Sequence, residues 1–250
     1  MRDSRNVKRR SQKNRRIMPQ KSQRLKKAKR LKKSSQKWLL RQINDPFVER
    51  AKLEGWRSRA AFKIIEVDEK FKIFKKNKVV VDLGAAPGGW SQYAVTKVGE
   101  GRVVAIDLLE IDSLPGVNFF VGDFMDKEAP EKIISLLKTI PFNKSGRCDV
   151  VMSDMAANTT GDHTTDHMRI IALLEEALQL AEKILREKGS FVGKIFQGGN
   201  SDEILKRLRK NFLTVKYFKP DSSRKDSSET YVVALGFKKI VAAPILNETD

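Results

Sequence analysis

Four features of this sequence have residue types and spacings that could do chemistry. The first is the run Asp82-Leu83-Gly84-Ala85-Ala86-Pro87-Gly88-Gly89-Trp90, which follows the apolar triplet 79–81. Small residues after a buried strand let the backbone approach a ligand closely. The glycine spacing is not that of a nicotinamide-binding loop, and the Lys-Ser/Thr of a P-loop is missing. The second feature is a pair of acids. Asp107 closes the apolar segment Ala105-Ile106, and Asp123 follows the next one in Val121-Gly122-Asp123-Phe124. A carboxylate at Asp107 can accept hydrogen bonds from both ribose hydroxyls of a nucleoside. Asp123 could accept from an adenine amino group, with a helix cap or a turn as the plain alternative. Two acids at successive strand ends, beside a loop with no phosphate-binding charge, point to S-adenosylmethionine, which has a nucleoside but no pyrophosphate.

The third feature is Asp154, which ends the apolar segment 150–153. The fourth is Lys194, set inside Phe191-Val192-Gly193-Lys194-Ile195-Phe196. A charged lysine is costly to bury among such neighbours. An edge lysine whose amine reaches water is one reading. The other is a lysine at the sheet's carboxyl edge, aimed into a cleft. Desolvation and a second cation nearby would depress its pKa, leaving it a lone pair with which to act as a general base.

These residues need a scaffold, and the hydrophobic pattern supplies one. Strands are expected at 79–81, 102–106, 117–121, 149–153, 190–196, 213–218 and 229–237. Helices are expected near 34–44, 47–53, 58–71, 90–98, 130–137, 166–187 and 201–210, with Gly189 capping the long one. Pro130 suits a helix start, where its missing N–H costs nothing. Alternation of strands and helices implies an α/β fold with a seven-stranded, mostly parallel sheet and helices on both faces. The last two strands have no helix between them, so a C-terminal antiparallel hairpin is expected, joined by the polar loop 219–228. Four regions follow: a disordered basic arm (1–35), a helical extension (36–56), a catalytic domain (57–238) and a tail (239–250).

Charge is unevenly spread. The chain has 250 residues and a net charge of +19, yet residues 1–41 hold 18 Lys and Arg against one acid, Asp3. The remainder is close to neutral. A polycationic arm binds polyanions by releasing their counterions, so RNA or the ribosome is its expected partner. A solvated tail and a mitochondrial transit peptide are the competing readings. The single cysteine, Cys148, excludes an internal disulfide, implies a reducing compartment and reads as an inert core residue. No run approaches the roughly 18 apolar residues of a membrane helix, and no secretory signal is visible. The two histidines, His163 and His167, read as part of a polar loop, and no metal is expected.

Five segments together resemble the FtsJ family of ribosomal RNA ribose methyltransferases, over roughly 35–238. They are Arg57-Ser58-Arg59-Ala60-Ala61-Phe62-Lys63, the run from Asp82 to Gln92, Ser153-Asp154-Met155-Ala156, Lys194-Ile195-Phe196-Gln197-Gly198 and Ser227-Ser228-Glu229-Thr230-Tyr231. The resemblance implies a Rossmann-like methyltransferase fold and a catalytic Lys-Asp-Lys-Glu tetrad on Lys63, Asp154, Lys194 and Glu229. It implies S-adenosylmethionine contacts at Gly88, Trp90, Asp107, Asp123 and Asp154. It further implies 2′-O-methylation of a uridine in the A loop of 23S ribosomal RNA, on the large ribosomal subunit, by a cytoplasmic monomer. Transfer RNA, an mRNA cap and a non-catalytic assembly role are the alternatives. Two positions depart from the family pattern: Ala157 stands where proline is usual and Trp56 where tyrosine is usual. The basic residues Lys206, Arg207, Arg209, Lys210, Arg224 and Lys225 could extend the surface that meets RNA.

Overall fold

The computed structural model describes residues 33–156, 160–197 and 201–238. Residues 1–32 of the expected arm, the tail 239–250 and Ala157 lie outside the described residues, while Lys33 already opens the first helix. The chain divides into two units between Arg50 and Ala51. The first contains α1 (Lys33–Ile43), and the division falls within α2 (Pro46–Glu54). Asp45 accepts from the Phe47 N–H at 3.0 Å ahead of that helix, as a capping carboxylate does.

The second unit runs in the order α3 (Ala61–Phe71), β1 (Val80–Leu83), α4 (Gly89–Val98), β2 (Val103–Asp107), β3 (Val117–Val121), α5 (Ala129–Thr139) and β4 (Cys148–Ser153). It continues with α6 (His163–Ile184), β5 (Leu185–Phe196), α7 (Asp202–Asn211), β6 (Phe212–Phe218) and β7 (Glu229–Phe237). The seven strands form one sheet in the order β3-β2-β1-β4-β5-β7-β6. The first five in that order pair in parallel. Strand β7 inserts antiparallel between β5 and β6, which gives the expected hairpin.

Side-chain alternation along the strands builds two cores. Val79, Val81, Leu83, Val104, Ile106 and Val151 pack with α5, α6 and α7 on one face. Val80, Val103, Val150, Met152, Val192, Tyr231 and Val233 pack with α3 and α4 on the other. Lys194 shares the parity of Val192 and lies opposite Tyr231 in the register, so both belong to the α3–α4 face. The order reverses at β1, whose carboxyl end adjoins those of β2 and β4. That is where open α/β sheets bind ligands.

The long helix and the strand after it differ most from the sequence expectation in their bounds. The long helix starts three residues earlier than expected, where Asp162 accepts from the Thr165 N–H at 2.7 Å, and it ends at Ile184 rather than Glu187. Leu185 is already paired with Cys148, and the register then jumps so that Ser190 faces Val150. Lys188 takes the left-handed conformation in this bulge (φ 64). Gly189 is therefore not a helix cap. A Cβ there would lie 2.8 Å from the Arg186 carbonyl and 3.1 Å from that of Asp149, so glycine lets two strands close up. Cys148 sits fully buried against the Ile184 carbonyl, and burial pushes its thiol well above the ordinary range. Among the described residues, no helix is long and apolar enough to cross a membrane.

Candidate active site

Four ionised side chains close a ring at the carboxyl edge of the sheet. Lys194 comes from β5, Asp154 from the residue after β4, Glu229 from the start of β7 and Lys63 from α3. Lys194 Nζ lies 2.8 Å from Asp154 Oδ1 and 3.5 Å from Glu229 Oε2. Lys63 Nζ lies 2.8 Å from Glu229 Oε1 and 3.6 Å from Asp154 Oδ2. Each cation meets both anions, and the four charges cancel. All four side chains are between 7% and 15% exposed. Removing one partner from such a buried set leaves an uncompensated charge, typically a loss of about 3–5 kcal/mol.

The ring corrects one electrostatic expectation. Burial pushes Lys194 down, but Asp154 and Glu229 more than compensate, and its pKa is raised above the usual lysine value. The amine also donates to the Asp154 backbone carbonyl at 2.8 Å. Lys194 at rest is thus an ammonium with acceptors on three sides. Burial pushes Asp154 and Glu229 up, and the two lysines outweigh it, so both carboxyls stay below their ordinary range. The pull of the two acids outweighs burial at Lys194, and Lys63 is not among the groups that lower it.

Tyr231 belongs to the same cluster, and no role was expected for it beyond its place in a motif. Its hydroxyl donates to Asp154 Oδ1 at 2.6 Å, and its ring packs against Trp90 with centroids 5.5 Å apart and the planes tilted by 45°. Burial and the neighbouring carboxylates hold its phenol well above the ordinary range. Lys63 lies 5.8 Å over the same ring.

Beside the ring lies a cavity of about 700 Å³, lined by Asp107, Asp123, Asp154, Gly84, Met155 and Arg169 among others. That volume is in the range of about 300–1,000 Å³ usual for small-ligand sites. Asp107 is held by two backbone donors, Ala86 N–H on Oδ2 and Leu109 N–H on Oδ1, each at 2.8 Å. Asp123 Oδ1 accepts from Met125 N–H at 2.9 Å, so Asp123 forms a turn while also lining the cavity. Gly84 explains the small residue after β1: it has φ 75, and a Cβ there would lie 2.2 Å from Met155 Cγ. Among the described lining residues Arg169 is the only basic one. An acid on each of two strand ends and little positive charge fit a nucleoside cofactor without phosphates.

The remaining expected contacts fall elsewhere. Trp90 is buried, and its indole N–H donates to the Ala60 carbonyl at 2.8 Å. Gly88 caps α4 with φ 101 and packs against Arg57. Neither lines the large cavity; both shape the loop that does. Arg57 ties that loop to the segment after β2, donating to the carbonyls of Pro87 at 3.4 Å, Asp112 at 2.7 Å and Ser113 at 2.6 Å. Trp56 meets the Tyr93 ring edge-on at 6.0 Å. Of the basic residues on α7, Arg207 is committed to Glu182, at 2.9 and 2.5 Å, rather than presented to a partner.

The model of the FtsJ-like methyltransferase family matches residues 56–237. Many relatives are similar over most of the chain. "Ribosomal RNA large subunit methyltransferase E" of Azorhizobium caulinodans is 52% identical over 219 residues, covering 86% of this chain and 88% of its own. The protein of the same name from Novosphingobium aromaticivorans is 54% identical over 216 residues, covering 86% and 94%. Among solved structures, a ribosomal RNA methyltransferase from Plasmodium falciparum superposes with a TM-score of 0.63 at 28% identity, covering 73% of this chain and 98% of that one.

Proposed function

The chain belongs to the FtsJ-like methyltransferase family, and on that premise we propose that it methylates ribosomal RNA of the large subunit with S-adenosylmethionine as donor. The finer reading is transfer to the ribose 2′-hydroxyl of a uridine in the A loop of 23S ribosomal RNA. The observation that carries the chemistry is the closed ring of Lys63, Asp154, Lys194 and Glu229 beside a nucleoside-sized cavity. The names of the similar proteins support the target. The polycationic segment 1–41 supports a large folded RNA with many phosphates.

Asp107 and Asp123 would hold the nucleoside, and the backbone around Gly84 would let it come close. When bound, S-adenosylmethionine supplies an electrophilic methyl group on a sulfonium centre that leaves as a neutral thioether. A ribose hydroxyl is a weak nucleophile until its proton is taken. Lys194 takes that proton in the fraction of molecules whose amine is neutral. That fraction is small because its pKa is raised, but for the same reason the neutral amine is a strong base, better matched to an alcohol. Asp154 and Glu229 then stabilise the ammonium that forms, and Lys63 keeps the two acids paired in the meantime. Alignment of the hydroxyl with the reacting carbon supplies much of the remaining rate. The cytoplasm and a monomeric state complete the proposal.

The test is transfer of labelled methyl to purified large subunits, free ribosomal RNA and transfer RNA. Label in the large subunit, at one ribose made resistant to alkaline cleavage, is the expected result. Label confined to transfer RNA would keep the chemistry and overturn the target. Cofactor binding without label in any RNA would leave a binding factor that keeps the fold.

A further inference from the structure

The polar loop 219–228 between β6 and β7 is anchored rather than free. Ser222 and Ser223 are buried, at 0% and 6% exposure. Glu66, on α3, accepts the N–H groups of Asp221 on Oε2 at 2.5 Å and of Ser222 on Oε1 at 3.0 Å. Arg59, in the turn entering α3, donates through Nη2 to the Ser222 carbonyl. The Ser223 N–H closes a turn on the Pro220 carbonyl at 3.0 Å. Two charged side chains therefore grip one short piece of backbone, with charge-assisted hydrogen bonds on both its donor and acceptor sides.

The grip leads to the ring. Ser223 Oγ donates to Glu229 Oε1 at 3.1 Å, the oxygen that Lys63 holds at 2.8 Å. Lys63 lies between Arg59 and Glu66 in the sequence, four residues after one and three before the other. At that spacing all three lie along one side of the helical stretch and reach the same segment, 221–229. The hairpin register, Phe218 opposite Tyr231, fixes the strand ends. It does not fix the depth of the ten residues between them.

We propose that Glu66 is a positioning residue for methyl transfer: by pinning the Asp221 and Ser222 peptides to α3, it holds Ser223 and Glu229 where Glu229 closes the ring around Lys194. The inference rests on the reading of that ring as the catalytic centre. Glu66 touches none of the four ring side chains in the contacts described above. Its effect passes through the loop backbone and the Ser223 hydroxyl. The groups facing Lys194 are Asp154 from the end of β4, Glu229 and Tyr231 from β7, and Lys63 from α3. Of these, Glu229 is the one that the Ser223 hydroxyl ties to the loop. Released from Ser223, Glu229 is hydrated more and holds Lys194 less tightly. The pull that raises the Lys194 pKa then weakens, and the alkaline limb of the pH–rate profile moves to lower pH.

The experiment compares Glu66→Ala, Glu66→Gln and Ser223→Ala with the wild type in single-turnover methyl transfer across pH. Affinity for S-adenosylmethionine and thermal stability are measured alongside. Glu182→Ala serves as the control, because Glu182 makes an equally short double contact to Arg207, on α7. The expected result for Glu66→Ala is a roughly tenfold lower rate on the alkaline plateau, where the amine is neutral, with cofactor affinity unchanged and the limb moved to lower pH. Glu66→Gln, which keeps one acceptor, lies between it and the wild type. Ser223→Ala shows the same direction with a smaller loss, and it decides the matter if Glu66→Ala does not fold. Wild-type rate and limb in both Glu66→Ala and Ser223→Ala overturn the inference. So does a loss of rate that follows thermal stability as in Glu182→Ala with no movement of the limb. A wild type that methylates no RNA would instead overturn the catalytic reading beneath it.

Discussion

Lys194 and Tyr231 face each other across the β5–β7 pair and end on the same atom, Asp154 Oδ1, at 2.8 and 2.6 Å. The phenol and the ammonium thus share one carboxylate oxygen. A carboxylate that already accepts a strong hydrogen bond pulls less on the second donor. Tyr231 therefore moderates the grip of Asp154 on the Lys194 proton. In Tyr231→Phe that grip tightens, so turnover at neutral pH should drop about fivefold, the worth of roughly 1 kcal/mol. The alkaline limb should move to higher pH, opposite to the shift expected for Glu66→Ala. A single-turnover profile of the variant checks both the size and the sign.

The raised Lys194 pKa sets the pH dependence of the wild type. Only the neutral amine accepts a proton, so the rate of the chemical step should climb about tenfold per pH unit from neutrality into the alkaline range. The stability that Lys194 contributes is fully present below the ordinary lysine pKa. It is lost as pH rises through the higher folded value. Asp154 and Glu229 are lowered, so their contribution is present above the ordinary carboxylate pKa and lost as pH falls through their folded values. Denaturant titrations should find the ring stabilising between those two limits. Loss of that contribution inside the window would contradict the assigned charges.

Asp82 makes a separate prediction. It is buried in β1, where its carboxylate accepts from Ser91 Oγ at 2.6 Å, and burial raises its carboxyl to about 7. The folded protein binds this proton more tightly than the unfolded chain does. Stability should therefore fall as pH rises from about 4 to about 7 and level off above that, by up to about 4 kcal/mol. Asp82→Asn keeps an acceptor for Ser91 and removes the titration. Its stability advantage over the wild type should grow between pH 4.5 and 8 in chemical denaturation. Parallel curves would show that Asp82 does not titrate there.

Gly84→Ala tests the cofactor loop. The added methyl would meet Met155 Cγ at 2.2 Å in a backbone with φ 75. Either Met155 or the loop must shift, and both line the cavity. Affinity for S-adenosylmethionine should fall more than about tenfold, with about 1–3 kcal/mol of stability lost to the strained backbone. Calorimetric titration of the variant would show it. Gly99→Ala, at a left-handed position with no atom near the added Cβ, should lose stability without losing cofactor affinity.

Much of this arrangement was legible in the sequence, for identifiable reasons. A lysine inside Phe191-Val192-Gly193-Lys194-Ile195-Phe196 breaks a hydrophobic strand, and such a break signals either an edge or a site. Acids at successive strand ends marked the cavity wall at Asp107 and Asp123. The sign of the Lys194 shift was not legible, because it depends on how closely Asp154 and Glu229 approach the amine, and those two acids come from different elements. The anchoring of loop 219–228 left no local trace either: Glu66 and Ser222 are 156 residues apart. The end of α6 was misplaced because residues 185–187 continue a helical pattern. The pairing of Leu185 with Cys148 overrides that local preference.

The most direct test of the central claim is single-turnover methyl transfer by Lys194→Met and Lys194→Arg beside the wild type, at saturating S-adenosylmethionine and with cofactor affinity measured on each. Methionine has no base, and arginine keeps the charge but does not give up its proton. Both variants should bind cofactor and lose about 10²–10⁴-fold in rate. If Lys194→Arg transfers methyl near the wild-type rate, Lys194 acts as a fixed cation and the proton leaves by another route.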